Sequence, residues 1–274
     1  MAAVPVPEGY AFPAAKLLAP EQINAISADA PVGVLATCGS YNPIHTGHTA
    51  MFDAGRVALE KQGVVIAGGF LSPVSDHYKK DGLAPFAPRM KICDAALSKN
   101  AWVAADPWEG MQPQYTRSYI VLSHIMESVK ATYAGMGDAG QAIVPRLRIY
   151  FLCGGDLFET FYKPGVWVLS LLKKIFSEFF LCCVVREGSA NPHDVMAKSE
   201  PLTHKDEPGV ELDMAQFTDR VVIATIDPPN NSSSTEVRKL IAAGAPFGAM
   251  VEPETEELLR SGVWPIPAAD KTPE

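Results

Sequence analysis

Short apolar runs alternate along the chain with longer segments in which apolar residues recur at helical spacing. The run VGVLAT at 32–37 is too short for an ordinary helix and stops at Gly39, so it predicts a buried strand. Helical composition follows over 47–62, a second strand from Val64, and a second helix over 85–100 with a proline near its start. The pattern continues with a strand at Trp102, a helix over 112–133, a strand from Leu147 and a short helix near Leu157. A helix and then a strand fill 166–185, a strand starts at Val221, and a last helix covers 233–243. Such alternation predicts an α/β fold, a doubly wound parallel sheet covered by helices on both faces, in a single domain.

Three stretches stand outside this rhythm. A Pro-rich arm occupies 1–30 ahead of the domain at 31–265, and a short tail, 266–274, ends the chain. Residues 187–219 are rich in Pro, His, Asp, Glu, Lys and Ser without a period, which predicts a long mobile insertion. GMGDAG, from Gly135, has the form G-x-G-x-x-G but follows a helix and precedes a strand, the reverse of a dinucleotide fingerprint, and is expected to be a loop.

Composition narrows the function. With 47% hydrophobic and 20% charged residues, the chain of 274 can bury a sizeable core. Its 31 acidic against 23 basic residues, a net charge of −8, argue against a general nucleic-acid surface, so an anionic ligand must meet a local basic site. The five cysteines show no paired C-x-x-C spacing, which points to reduced thiols packed as small core residues. The first residues lack a charged segment followed by an apolar one, and Lys173, Lys174 and Glu178 interrupt the longest apolar stretch. No membrane contact is expected, a cytoplasmic or nuclear location is, and the composition is compatible with a homo-oligomer.

The chemistry concentrates in two places. After the first strand comes TCGSYNPIHTGH, which sets Gly39, Ser40 and Tyr41 at the turn and His45, Gly47 and His48 at the mouth of the next helix. Glycines let backbone pass close to a ligand, the free N–H groups of a helix start attract phosphate, and imidazoles add donors that a polyanion can keep protonated. Taken alone, an H-x-x-H pair could equally cap a loop or bind a metal. The second place is NSSSTEVRKL, where Ser233, Ser234, Thr235 and Arg238 gather hydroxyls and a guanidinium at another helix start, a pattern that an ordinary N-cap also produces.

Together, the strand–GSYNPxHxGH–helix block and the later S-S-T-x-x-R resemble the nucleotidylyltransferase superfamily with an H-x-G-H motif. Within it, the chain is similar to eukaryotic-type nicotinamide mononucleotide adenylyltransferases from about Val32 to about Trp264. SPVSDHYKKDGL, DPWEG, CGGDLFETFYKPGVW and VVREG carry the likeness, in order. The resemblance implies a Rossmann-like fold and the joining of ATP and nicotinamide or nicotinate mononucleotide into NAD or deamido-NAD with release of pyrophosphate. Mg²⁺ would come with the ATP, and no metal site made by the protein is expected. It implies that His48 stabilises charge at the α-phosphate, that His45 and Ser40 hold phosphate oxygens, and that Ser234, Thr235 and Arg238 grip the pyrophosphate. Gly154, Asp156 and Arg186 fall on the ATP side, and Lys79, Trp108, Glu109, Leu157 and Trp167 on the mononucleotide side. Gly155 and Gly110 depart from the family pattern, where relatives carry alanine and can carry a hydroxyl. A phosphopantetheine adenylyltransferase would share both phosphate motifs but lack the tryptophan context, and a non-catalytic nucleotide-binding scaffold would share the fold.

Overall fold

The computed structural model describes residues 6–186 and 188–264; the start of the arm, Glu187 and the expected tail at 266–274 lie outside the described residues. In chain order the elements are α1 (Pro20–Ile26), β1 (Val32–Gly39), α2 (Thr46–Glu60), β2 (Val65–Pro73), α3 (Phe86–Ala96) and β3 (Val103–Ala105). Then come α4 (Ser118–Ala134), α5 (Gly137–Gln141), β4 (Leu147–Gly154), α6 (Gly155–Thr160), α7 (Leu169–Glu178) and β5 (Phe180–Val185). The last are α8 (Pro192–Lys198), β6 (Leu202–Thr203), β7 (Glu211–Leu212), β8 (Val221–Thr225), α9 (Ser234–Ala242) and α10 (Pro253–Arg260).

Six strands form one sheet in the order β3-β2-β1-β4-β5-β8, every neighbouring pair parallel. The winding reverses between β1 and β4, which makes a crevice at their carboxyl ends, the place where open parallel sheets bind ligands. Both faces are covered, because alternate residues of a strand point to opposite sides. From β1, Val34 and Ala36 join a core with Val121 and Ile125 of α4 and Leu172 and Phe176 of α7. Leu35, between them, joins the other core with Phe52 and Leu59 of α2 and Ile92 of α3. The doubly wound single domain read from the sequence is the fold observed. The five thiols are unpaired, and all but Cys38 are buried.

Three expectations about local structure need correction. The helix expected over 112–133 starts six residues later, at Ser118, because Pro113 lies in a turn region and the Gln112 amide bonds back to the Trp108 carbonyl at 3.1 Å. GMGDAG is not a loop: it forms α5, and a Cβ on Gly140 would stand 2.0 Å from the Tyr133 carbonyl, so that glycine serves close packing. Residues 187–219 are not structureless. They supply α8, the β6–β7 hairpin and a 3₁₀ turn at Met214–Arg220, and they bury Met196, Leu212 and Met214 completely. The arm is also built in: Lys16 Nζ donates to the Leu97 and Val103 carbonyls at 2.6 and 2.7 Å, and Leu18 N donates to Ala67 O of β2. Among the described residues, no helix is long and apolar enough to cross a membrane.

Candidate active site

The loop after β1 lies at the winding reversal, and its shape is held from behind. Tyr41 sits at φ 41°, in the left-handed region that a bulky side chain seldom adopts, and its buried ring packs beneath Gly39. A Cβ on Gly39 would come within 3.0 Å of that ring, so the close turn requires glycine there. The fully buried Arg89 of α3 pins the loop to its surroundings. Its guanidinium donates to Ser40 O at 2.9 Å, Val74 O at 2.7 Å and Ala84 O at 2.7 Å. The buried Asn42 amide donates to Gly82 O at 2.8 Å and accepts from Ala84 N at 3.0 Å, which ties the loop to the turn after β2.

The two histidines then close the start of α2. His45 is the N-cap: its Nδ1 accepts from Gly47 N at 3.1 Å, while His48 Nδ1 accepts from His45 N at 3.1 Å. The rings stack with centroids 3.7 Å apart. Since each Nδ1 is an acceptor, each neutral ring carries its proton on Nε2, and both offer one N–H donor. Burial first, then Arg186, pushes His45 down to about 4, and burial, His45 and Lys80 hold His48 well below the usual histidine value. Without a ligand both rings are neutral donors, because desolvation outweighs the helix N-terminus.

The second motif docks on the first. Ser234 Oγ donates to Pro43 O at 2.8 Å and Arg238 Nη1 to Asn42 O at 2.8 Å, while Ser233 caps α9 by accepting from Glu236 N. Thr46 at the start of α2 meets Ser232 Oγ at 3.0 Å and Asn230 Nδ2 at 3.1 Å, so the two helix starts are locked side by side. Lys80 Nζ donates to Ser40 Oγ at 3.0 Å, and burial together with Arg238 and Arg89 lowers its pKa. A cavity of about 970 Å³ opens over this arrangement, and Gly39, Tyr41, His45, His48, Gly154, Asp156, Leu157, Arg186 and Ser233 line it. The arrangement suits an anionic ligand: two neutral donors stand at a helix start, and Arg186 lines the same cavity.

Comparison with known proteins agrees. The family model described as cytidylyltransferase-like matches residues 36–240. The chain is 33% identical over 210 residues to the nicotinamide/nicotinic acid mononucleotide adenylyltransferase of Oryza sativa subsp. japonica, covering 77% of this chain and 76% of that one. The enzyme of the same name from Arabidopsis thaliana is 30% identical over 227 residues, covering 83% and 87%. The chain therefore belongs to this adenylyltransferase family. With the relative of that name in Schizosaccharomyces pombe the identity is 36% over 170 residues, 60% of this chain and 46% of the other.

The residues expected on the mononucleotide side of a family member are placed less directly than those of the phosphate cradle. Lys79 is exposed, and its neighbour Lys80 is the lysine that reaches the cradle. Trp108 is 2% exposed and lies flat on His124 of α4, centroids 4.0 Å apart at 7°. Glu109 accepts from Ser72 Oγ at 2.7 Å, and burial pushes its carboxyl up to about 8. Trp167 is half-buried, donates from Nε1 to Thr160 Oγ1 at 2.9 Å and meets Phe161 edge-on. Neither indole is among the residues that line the open cavity. Ser40, Thr235 and Arg238 also stand behind or beside the cavity wall rather than in it. Sequence reading missed Arg89, Asn42, Lys80, Asn230 and His124. Asn42 and Lys80 stood inside the motif blocks, and Arg89 is the buried arginine of FAPRMKICDAA.

Proposed function

We propose that the protein joins ATP to nicotinamide or nicotinate mononucleotide, giving NAD or deamido-NAD and pyrophosphate. The observation that carries this is the neutral His48, fixed by its Nδ1 bond so that Nε2–H is a donor at the cavity wall near Lys80. A mononucleotide phosphate oxygen attacks the α-phosphorus in line, the new P–O bond forms, and the bond to the bridging oxygen breaks as pyrophosphate leaves. No covalent enzyme intermediate is needed, because positioning and charge stabilisation suffice for such a displacement. His48 stabilises the charge growing on the α-phosphate, and His45 and the Ser40 loop hold adjacent oxygens. Lys80, Ser234, Thr235 and Arg238 receive the departing pyrophosphate. Gly154, Asp156 and Arg186, at the ends of β4 and β5, face the adenosine.

Magnesium enters as part of the ATP substrate. Its ligands would be phosphate oxygens and water. The mononucleotide extends past Cys38 towards Glu109, Trp108 and Trp167. Incubating the protein with ATP, Mg²⁺ and nicotinamide mononucleotide, nicotinate mononucleotide or phosphopantetheine, with pyrophosphate as the readout, tests the reading. Release with either pyridine nucleotide is expected. Release with phosphopantetheine alone reassigns the substrate, and no release with any acceptor makes the chain a scaffold.

A further inference from the structure

The arm lies outside the family match, which begins at residue 36, yet it reaches the mononucleotide half of the site. Its stability anchors are Lys16, Leu18 and the fully buried Ile23, together with the bond from Tyr133 Oη to Leu18 O at 2.8 Å. Tyr10 lies upstream of all of these. Phe12 directs the chain there by packing on Phe70, ring centroids 4.6 Å apart. The Tyr10 hydroxyl then lies 2.8 Å from His124 Nε2, its ring edge-on to the imidazole at 5.3 Å and 61°. His124 is the residue whose other contact is the flat stack on Trp108.

The hydrogen bonds define a relay. Burial pushes His124 down to about 4, so its ring is neutral, and the direction of its hydrogen bond with Tyr10 follows the imidazole tautomer. Ser128 Oγ, at 3.4 Å from the same nitrogen, is too distant to compete well. Asp106, whose Oδ1 accepts from Trp108 N at 3.1 Å, lies beside the Tyr10 hydroxyl. The Tyr10 hydroxyl thus stands between His124 and the Asp106 carboxylate, whose burial-raised pKa it lowers, while Trp108 Nε1 is buried without a partner. Buried donors and acceptors of this kind are retained where something orients them for use.

We propose that the N-terminal arm is a working part of the site, with Tyr10 as a positioning residue that fixes His124, and through it the Trp108 indole, for the pyridine mononucleotide. This rests on the reading that Trp108 contacts that substrate. Without the Tyr10 bond the imidazole is free to turn about its χ2 and the indole loses a flat, fixed neighbour.

Tyr10→Phe in the full chain keeps the ring and removes only the bond. KM for the mononucleotide should rise about fivefold, the scale of one hydrogen bond, while KM for ATP and kcat stay within about twofold and Tm within about 2 °C. His124→Phe, which keeps a flat ring on Trp108 but has no ring nitrogen, should reproduce that split, so the test survives if one variant folds poorly. In Trp108→Phe the mononucleotide KM should rise, and adding Tyr10→Phe should cost less than the sum, since both act on one contact. If Trp108→Phe raises that KM and Tyr10→Phe does not, the arm has no part in binding and the inference fails while the substrate reading stands. If Trp108→Phe leaves it unchanged, the reading of Trp108 falls and the inference falls with it. Equal rises in both KM values, or strictly additive effects, show a general structural role and overturn the proposal.

Discussion

His48→Ala separates catalysis from folding. The substitution removes two things: the acceptor for His45 N at 3.1 Å, and a ring that packs edge-on to Tyr41 with centroids 5.0 Å apart. The lost cap bond costs about 1 kcal/mol and the ring contacts about 1 kcal/mol more. For a domain of this size that lowers Tm by roughly 4–8 °C, so the variant is folded at 25 °C. The Nε2–H donor is a different matter. If it stabilises charge that grows only in the transition state, its removal lowers kcat by about 10²–10³, or ~3–4 kcal/mol, with KM for ATP changed far less. Initial rates of pyrophosphate release at saturating substrates, beside a circular-dichroism melt, measure both effects. The sign of the pH dependence adds a second test. The folded-state pKa is depressed, so His48 is neutral above the ordinary histidine value. A neutral donor keeps kcat level as pH rises through about 6.5, whereas a histidinium donor would lose activity there. Turnover within tenfold of the parent, or a fall in kcat through that range that His48→Ala abolishes, would refute the role given to this side chain.

Three further outcomes test the scaffold. Arg89→Met leaves the carbonyls of Ser40, Val74 and Ala84 without their buried donor, and a urea melt should show a loss of about 3–5 kcal/mol; Arg89→Lys should recover only part, since an ammonium cannot reproduce the fork. Gly110→Ser places a Cβ 1.8 Å from the Phe86 ring and should cost about 1–3 kcal/mol by overpacking; adding Phe86→Ala should restore room, and a thermal melt without that relief would sink the account. Glu207 accepts from the backbone N–H groups of Leu169 and Ser170, and these bonds, with the Ser170 side chain foremost, hold its carboxyl below the usual range. Its contribution is therefore present above the unfolded carboxyl value and lost as pH falls through the folded one, so Glu207→Gln should melt lower than the parent at pH 7 and with it at about pH 3.

The parts legible in the sequence are those whose physics is local. A five- to nine-residue apolar run, too short for an ordinary helix, reads as a buried strand, which is why β1, β2, β4, β5 and β8 could be read. The cradle was legible because a turn, a helix start and two histidines lie within ten residues. Lys79 and Lys80 could not be told apart, since the turn after β2 has no period and only its tertiary tether, Asn42 to Gly82 O, decides which lysine faces Ser40. The histidines' place at a helix N-terminus is visible in sequence, but the burial that lowers both pKa values is not. The segment 187–219 was illegible because its elements are two to seven residues long, too short for any period to repeat.

Those illegible segments share a destination. The arm meets the site through Tyr10 and His124 at Trp108, and the 187–219 segment meets it through Glu207, which caps α7 two residues after Trp167. The phosphate half holds itself together by contacts among motif residues, Ser234 to Pro43, Arg238 to Asn42 and Thr46 to Ser232. Its geometry follows from a helix start and so can be written in a short pattern. A flat aromatic wall has no such internal scaffold: an indole needs packing on its face and an anchored backbone, and both must come from elsewhere in the chain. On the proposed assignment of Trp108 and Trp167 to the mononucleotide, changes in arm and insertion would alter substrate fit while the phosphate chemistry stays intact.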